Sequence, residues 1–200
     1  MEKRHSSSEN TQTVLLQLIA SGDQTAFKQV YASFYVRLYR FALAIVKTKE
    51  AAEEIVEDVF IRIWQQRAGL SAVRNLRVYL YAATKNTALN YLSKMARASI
   101  TEPFDHITIQ LERTAVNPEQ ILITAEMAKQ MHEAVDALPP RCKMIFKLIR
   151  EDGLRYKEVA EILNISVNTI DVQMAIAVKR IATALERELG YSLPWSKPRK

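Results

Sequence analysis

Hydrophobic side chains in this chain recur every three or four residues almost from end to end, and only four glycines interrupt 200 residues. That period buries one face of an α-helix, whereas a half-buried strand needs strict alternation. The expected fold class is therefore all-α. A helix is expected over residues 13–20, stopped by Ser21 and Gly22, with Asp23 capping a second that runs to about Lys47. The inward stripe of that second helix is expected at Phe27, Val30, Tyr31, Phe34, Leu38, Phe41, Ala42 and Ile45. Thr48 is the expected cap of a third, whose stripe Ala52, Ile55, Val56, Val59, Phe60, Ile63 and Trp64 never misses a step.

The same periodicity fades over residues 99–118, where Pro103 and Pro118 interrupt and Glu102, Asp105 and Glu112 face only Arg113. An acidic, flexible linker is expected there. Helical patterning resumes with Ile121, Leu122, Ala125, Met131, Val135 and Leu138, halts at Pro139 and Pro140, and restarts through Cys142, Ile145, Phe146 and Leu148. Two small helical domains, 13–98 and 119–189, follow. A polar, Ser-rich N-terminus (1–12) and a Pro-rich basic tail (190–200) are expected to be disordered.

Charge is distributed unevenly. Lys and Arg number 28 against 22 Asp and Glu, a net charge of +6 that favours an acidic partner such as nucleic acid. On the third helix Glu50, Glu53, Glu54, Glu57 and Asp58 crowd the N-terminal half, where carboxylates complement the helix dipole and offer a face to a basic partner. From 59 to 101 there is no acid at all, against Arg62, Arg67, Arg74, Arg77, Lys85, Lys94 and Arg97. Tyr79, Tyr81, Asn86, Asn90 and Tyr91 are interleaved there, a mixture suited to stacking on bases and tracking a phosphate backbone. A solvated basic face with tyrosines in the core accounts for the same residues.

Near the C-terminus, residues 156–163 make two helical turns, Asn164, Ile165 and Ser166 break them, and Ser166 caps another helix. The stripe of that helix is Ile170, Met174, Ala177, Val178, Ile181 and Leu185. Helix, short turn and helix is the helix-turn-helix pattern, whose second helix enters a major groove by its N-terminal part. The outward residues there are Asn168, Thr169, Asp171, Val172, Gln173, Ala175 and Ile176. Amides pair with adenine, Asp accepts from cytosine, and small apolar groups meet the thymine methyl. Arg155, Lys157, Lys179 and Arg180 are placed to hold phosphates. A packed helical hairpin gives the same pattern, and Val172, Ala175 and Ile176 equally suit a protein contact.

Five stretches together resemble the extracytoplasmic-function sigma factors of the sigma-70 class, over about residues 24–185. They are residues 26–39, AEEIVEDVFIRIW (52–64), YLYAATKNTALNYL (79–92), LPPRCKMIF (138–146) and YKEVAEILNISVNTID (156–171). The resemblance implies a transcription initiation factor that binds core RNA polymerase at the β′ clamp helices and the β flap. Glu54, Glu57 and Asp58 would make the clamp contact, although the family more often has Asp and Gln where Glu54 and Glu57 stand. The basic segment would open and read the promoter −10 element. Its contacts would come from Arg74, Asn75, Arg77, Lys85, Asn86 and Asn90, with a flipped base held in the loop 68–75. The helix-turn-helix would read the −35 element as duplex, with Asp171, Val172, Ala175 and Ile176 at the base-facing positions. Many members carry Arg there and this chain has none, so an A/T-leaning site is expected, read partly through shape. The linker would thread toward the RNA exit path, and an anti-sigma factor would mask both domains.

A DNA-binding regulator acting without polymerase is the alternative; it leaves the acidic helix unused. An enzyme is disfavoured: His5, His106 and His132 are scattered, and no phosphate loop or metal-spaced cluster occurs. Cys142 alone forms neither a disulfide within the chain nor a cysteine zinc site, and its apolar neighbours suggest a buried thiol. No cofactor, metal or small-molecule substrate is expected. With no stretch near the ~18 apolar residues that span a bilayer, the chain is expected to be cytoplasmic and not membrane-inserted.

Overall fold

A computed structural model describes residues 3–98 and 122–189. The chain divides into two compact units, 1–103 and 104–200. The first holds α1 (Lys3–Ala20), α2 (Gln24–Val46), α3 (Lys49–Gln65), a 3-10 helix η1 (Arg67–Ala72) and α4 (Leu76–Ala98); the second holds α5 (Leu122–Asp136), α6 (Pro140–Arg150), α7 (Tyr156–Leu163) and α8 (Val167–Leu189). Every element among the described residues is helical, so the all-α class holds. The expected linker 99–118 and tail 190–200 lie outside the described residues.

In the first unit α2 packs on α3 and α4, α3 packs on α4, and α1 lies against η1 and α2. The shared core is Val30, Leu38 and Phe41 from α2, Ile55, Val56, Val59 and Phe60 from α3, and Leu80, Tyr81 and Ala88 from α4. Each Val, Leu, Ile or Phe side chain among these, withdrawn from water, contributes about 1.5–3 kcal/mol. The α1–α2 turn forms as its residues dictate. Gly22 adopts φ 95°, and the Asp23 carboxylate accepts from the Thr25 and Ala26 N–H groups at 2.7 and 3.0 Å.

Four expectations need correction. Residues 3–12, expected to be disordered, are the first turns of α1; no glycine or proline there stops the helix from extending backward. Thr48 occupies the N-cap of α3 in extended backbone, yet its side chain makes no capping hydrogen bond. Tyr31 is 37% exposed rather than inward. The loop 68–75 is mostly the 3-10 helix, seated by Leu70 at 2% exposure.

In the second unit α8 packs on α5, α6 and α7. Ala134, Val135, Leu138, Cys142, Ala177, Ile181, Ala182 and Leu185 form one cluster. Pro140 opens α6 at a position whose N–H would have no helical partner. Gly153 adopts φ 69° in the turn before α7.

Candidate functional site

On α3, the carboxylates follow from the helical period. Ala52, Ile55, Val56, Val59 and Phe60 turn inward, so Glu50, Glu53, Glu54 and Glu57 are left exposed. Asp58 is half-buried and pairs with Arg62 at 3.6 Å, an i,i+4 contact worth little in water. Beside them an aromatic ladder runs up α2: Tyr31 and Tyr35 rings lie 5.0 Å apart, and Tyr35 and Tyr39 stack at 6.4 Å with an 8° interplanar angle. Burial first, then Tyr31, Glu53 and Glu57, push the Tyr35 phenol above its ordinary range. The acidic face is therefore bordered by phenol rings, which no charge count shows.

The basic segment folds as η1 and α4. Arg67 lies 4.8 Å over the Trp64 ring and donates to the Trp64 carbonyl at 3.0 Å. Asn75 begins α4: its Oδ1 accepts from the Val78 N–H at 3.2 Å, so this residue has a capping role besides any with DNA. Arg74 is exposed and Arg77 half-buried at the same end. Further along, Lys85 is half-buried and Asn86 and Asn90 are exposed. Tyr81, one of the rings grouped with the stacking residues, is fully buried 5.2 Å from Phe41 and belongs to the core.

The six residues expected to hold a single strand do not form one cluster. From Asn75 to Asn90 the helix rises about 22 Å. Asn90 stands at the far end, in a groove of about 340 Å³ that also takes Glu54, Asp58 and Arg62 from α3 and Tyr91 and Lys94 from α4. The acidic and basic faces thus meet along one seam. The inward stripe of each helix was legible, but the register between two helices was not.

The helix-turn-helix is formed as expected. Asn164, at φ 54°, ends α7, and the Ser166 hydroxyl accepts from the Thr169 N–H at 3.0 Å to begin α8. Ile170, Met174, Ala177, Ile181 and Leu185 are buried and Val178 half-buried. Of the outward residues, Asn168, Asp171, Val172, Ala175 and Ile176 are exposed, while Thr169 and Gln173 are half-buried. Arg155, Lys157, Lys179 and Arg180 are exposed at the flanks, the Arg155 N–H donating to Glu158 Oε2 at 2.7 Å.

Two buried polar contacts support this unit from behind. The Cys142 thiol, 1% exposed, donates to the carbonyl of Gln173 on α8 at 3.2 Å, and burial pushes its pKa up, with Arg180 opposing. The Lys143 ammonium, 3% exposed, lies 3.4 Å from Asp136. Sequence reasoning missed Lys143, because a lysine on a helix is ordinarily solvated. Among the described residues, no group of three His, Cys, Asp or Glu is placed to hold a metal, and no helix is long and apolar enough to cross a membrane.

Family models match in order along the chain: Sigma-70 region 2 over residues 30–98 and Sigma-70, region 4 over residues 128–181, together more than half of it. The chain is 24% identical over 166 residues to the ECF RNA polymerase sigma-E factor of Escherichia coli, covering 80% of this chain and 86% of that protein. It is 24% identical over 178 residues to the ECF RNA polymerase sigma factor SigW of Bacillus subtilis, covering 86% and 92%. Two solved structures share the fold. CnrH in complex with the cytosolic domain of CnrY gives a TM-score of 0.55 at 19% identity, covering 88% of this chain and 97% of that one. RpoE in complex with the anti-sigma factor NepR from Bartonella quintana gives 0.54 at 21%, covering 80% and 96%. With both sigma-70 regions matched in order and relatives of this kind along most of its length, the chain belongs to the sigma-70 family as an extracytoplasmic-function sigma factor, a transcription initiation factor that directs RNA polymerase to promoters.

Proposed function

We propose that three surfaces divide the work. Glu54, Glu57 and Asp58 on α3 dock on basic helices of the polymerase clamp. Arg74, Asn75, Arg77, Lys85, Asn86 and Asn90 guide the opened non-template strand along α4. The α7–α8 pair reads duplex DNA, with Asn168, Thr169, Asp171, Val172, Gln173, Ala175 and Ile176 toward the bases and Arg155, Lys157 and Lys179 on phosphates. The observation that carries this reading is the solvent face of α8: behind its Ser166 cap, the core takes one stripe and leaves base-sized side chains exposed at the entering end.

The chain supplies no catalytic group in this scheme. Nucleotide addition belongs to the polymerase, and the factor acts in the cytoplasm where that enzyme is. The β flap holds the second unit, and an anti-sigma factor competes for the same faces; a sigma factor of the same fold has been solved in complex with an anti-sigma factor. Run-off transcription with purified chain, core polymerase and a genomic fragment library tests the scheme. Specific transcripts that require the chain support it. DNA binding without transcripts, together with failure to co-purify with core polymerase, favours a regulator acting alone.

A further inference from the structure

The solvent face of α8 lacks the side chains that most often read DNA. From Val167 to Val178 the sequence holds no Lys or Arg and a single acid, Asp171; the first cations are Lys179 and Arg180. The commonest base-specific contact, a cation on guanine O6 and N7, cannot be made from this stretch. In its place stand two branched apolar side chains one turn apart, Val172 at 49% exposure and Ile176 at 37%. The helix does not need them for packing, since Ile170, Met174, Ala177 and Ile181 already fill its buried stripe. Single exposed hydrophobics are ordinary on protein surfaces. These two share a stripe with exposed Asn168 at the start of the helix, and Asp171 and Ala175 flank them.

We infer that Val172 and Ile176 read the 5-methyl groups of two thymines, so that the duplex site of this unit is specified by thymine·adenine pairs rather than by guanine. This rests on the reading above that α8 lies in the major groove. Four residues of helix rise about 6 Å, close to two base-pair steps at 34–36 Å per turn of 10–10.5 pairs; the two methyls therefore belong to bases roughly two steps apart. Asn168 adds an amide able to pair with adenine at the near end of the stripe. Asp171, which only accepts hydrogen bonds when ionised, can take one from adenine N6 or from cytosine N4 and so does not itself choose between the two pairs; the choice falls to the two apolar side chains. The hydroxyl of Thr169 is already engaged 2.8 Å from that of Ser166.

Replacing thymine by deoxyuridine removes the methyl and nothing else, which makes the test direct. The full chain, assembled with core polymerase, selects binders from a randomised duplex pool, and each thymine of the selected upstream element is then replaced singly by deoxyuridine. Binding is expected to fall about fourfold at each of two positions, the worth of one buried methyl group. The loss should vanish in a Val172→Ala, Ile176→Ala double variant, whose substitutions lie on an exposed face. Uracil duplexes bound as tightly as thymine duplexes, or an element dominated by guanines, overturn the inference and leave DNA reading by α8 standing. A double variant with unchanged thymine preference that has lost a protein contact assigns this face to a protein instead. Selection of no upstream element at all takes down the groove reading along with the inference.

Discussion

Asn86 stands exposed midway along α4, two positions beyond Thr84, which is fully buried with its hydroxyl donating to the Leu80 carbonyl at 2.9 Å. Its amide is free to meet an unpaired base while the helix beneath it is anchored. Asn86→Ala should impair promoter opening more than duplex binding; an unchanged permanganate footprint would remove Asn86 from the strand-holding set. Cys142 makes the opposite case, a buried group whose titration reports on folding. Its folded pKa is raised, so the folded protein keeps a proton that the unfolded chain has lost above the ordinary thiol value of 9.0. Stability from this group is thus fully present below that value and falls as pH rises past it. In urea unfolding followed from neutral pH upward, the native chain should lose stability more steeply above about pH 9 than Cys142→Ala does. Parallel curves would show that the thiol is not desolvated.

At the scale of elements, α3 and α8 expose opposite kinds of surface for one reason: each gives a single stripe to the core and leaves the other face to its chemistry. Charge reversal, Glu57→Lys with Asp58→Lys, removes the partly exposed Asp58–Arg62 pair, an interaction worth about 0–1 kcal/mol, and the repulsion of Glu57 on the ionised Tyr35 phenol. The variant should melt as the native chain does and compete at least tenfold less well for core polymerase. Unaltered competition would move the docking face off α3. The α7–turn–α8 motif was legible because Asn164 and Ser166 set both helix ends locally. The loop 68–75 was less so: Leu70 draws it into a 3-10 helix that packs on α1, and nothing within the segment names that partner.

For the whole molecule, a net charge of +6 coexists with an acidic α3, so the proposed polymerase and DNA contacts fall on surfaces of different sign. Phosphate contacts release counterions, and each contact adds about one unit to the slope of log affinity against log salt. Lys157→Ala in the polymerase complex should lower that slope by about 1 and leave base preference unaltered, whereas Val172→Ala should alter preference and leave the slope. Equal slopes for native and Lys157→Ala complexes would take Lys157 off the phosphates.

What the chain determined by itself was whatever depends on near neighbours: the helical class, the Asp23 and Ser166 caps, the turn at Asn164 and the outward face of α8. These arise from contacts three or four residues apart, and the sequence displays that spacing directly. Tertiary structure alone decided that Tyr81 enters the core while Tyr31 stays half in water, and that Asn90 and Lys94 share a groove with Glu54 and Asp58. A period says which face of a helix is apolar. It does not say which helix covers that face or at what register, and an amphipathic ring such as tyrosine is buried or bared by that choice.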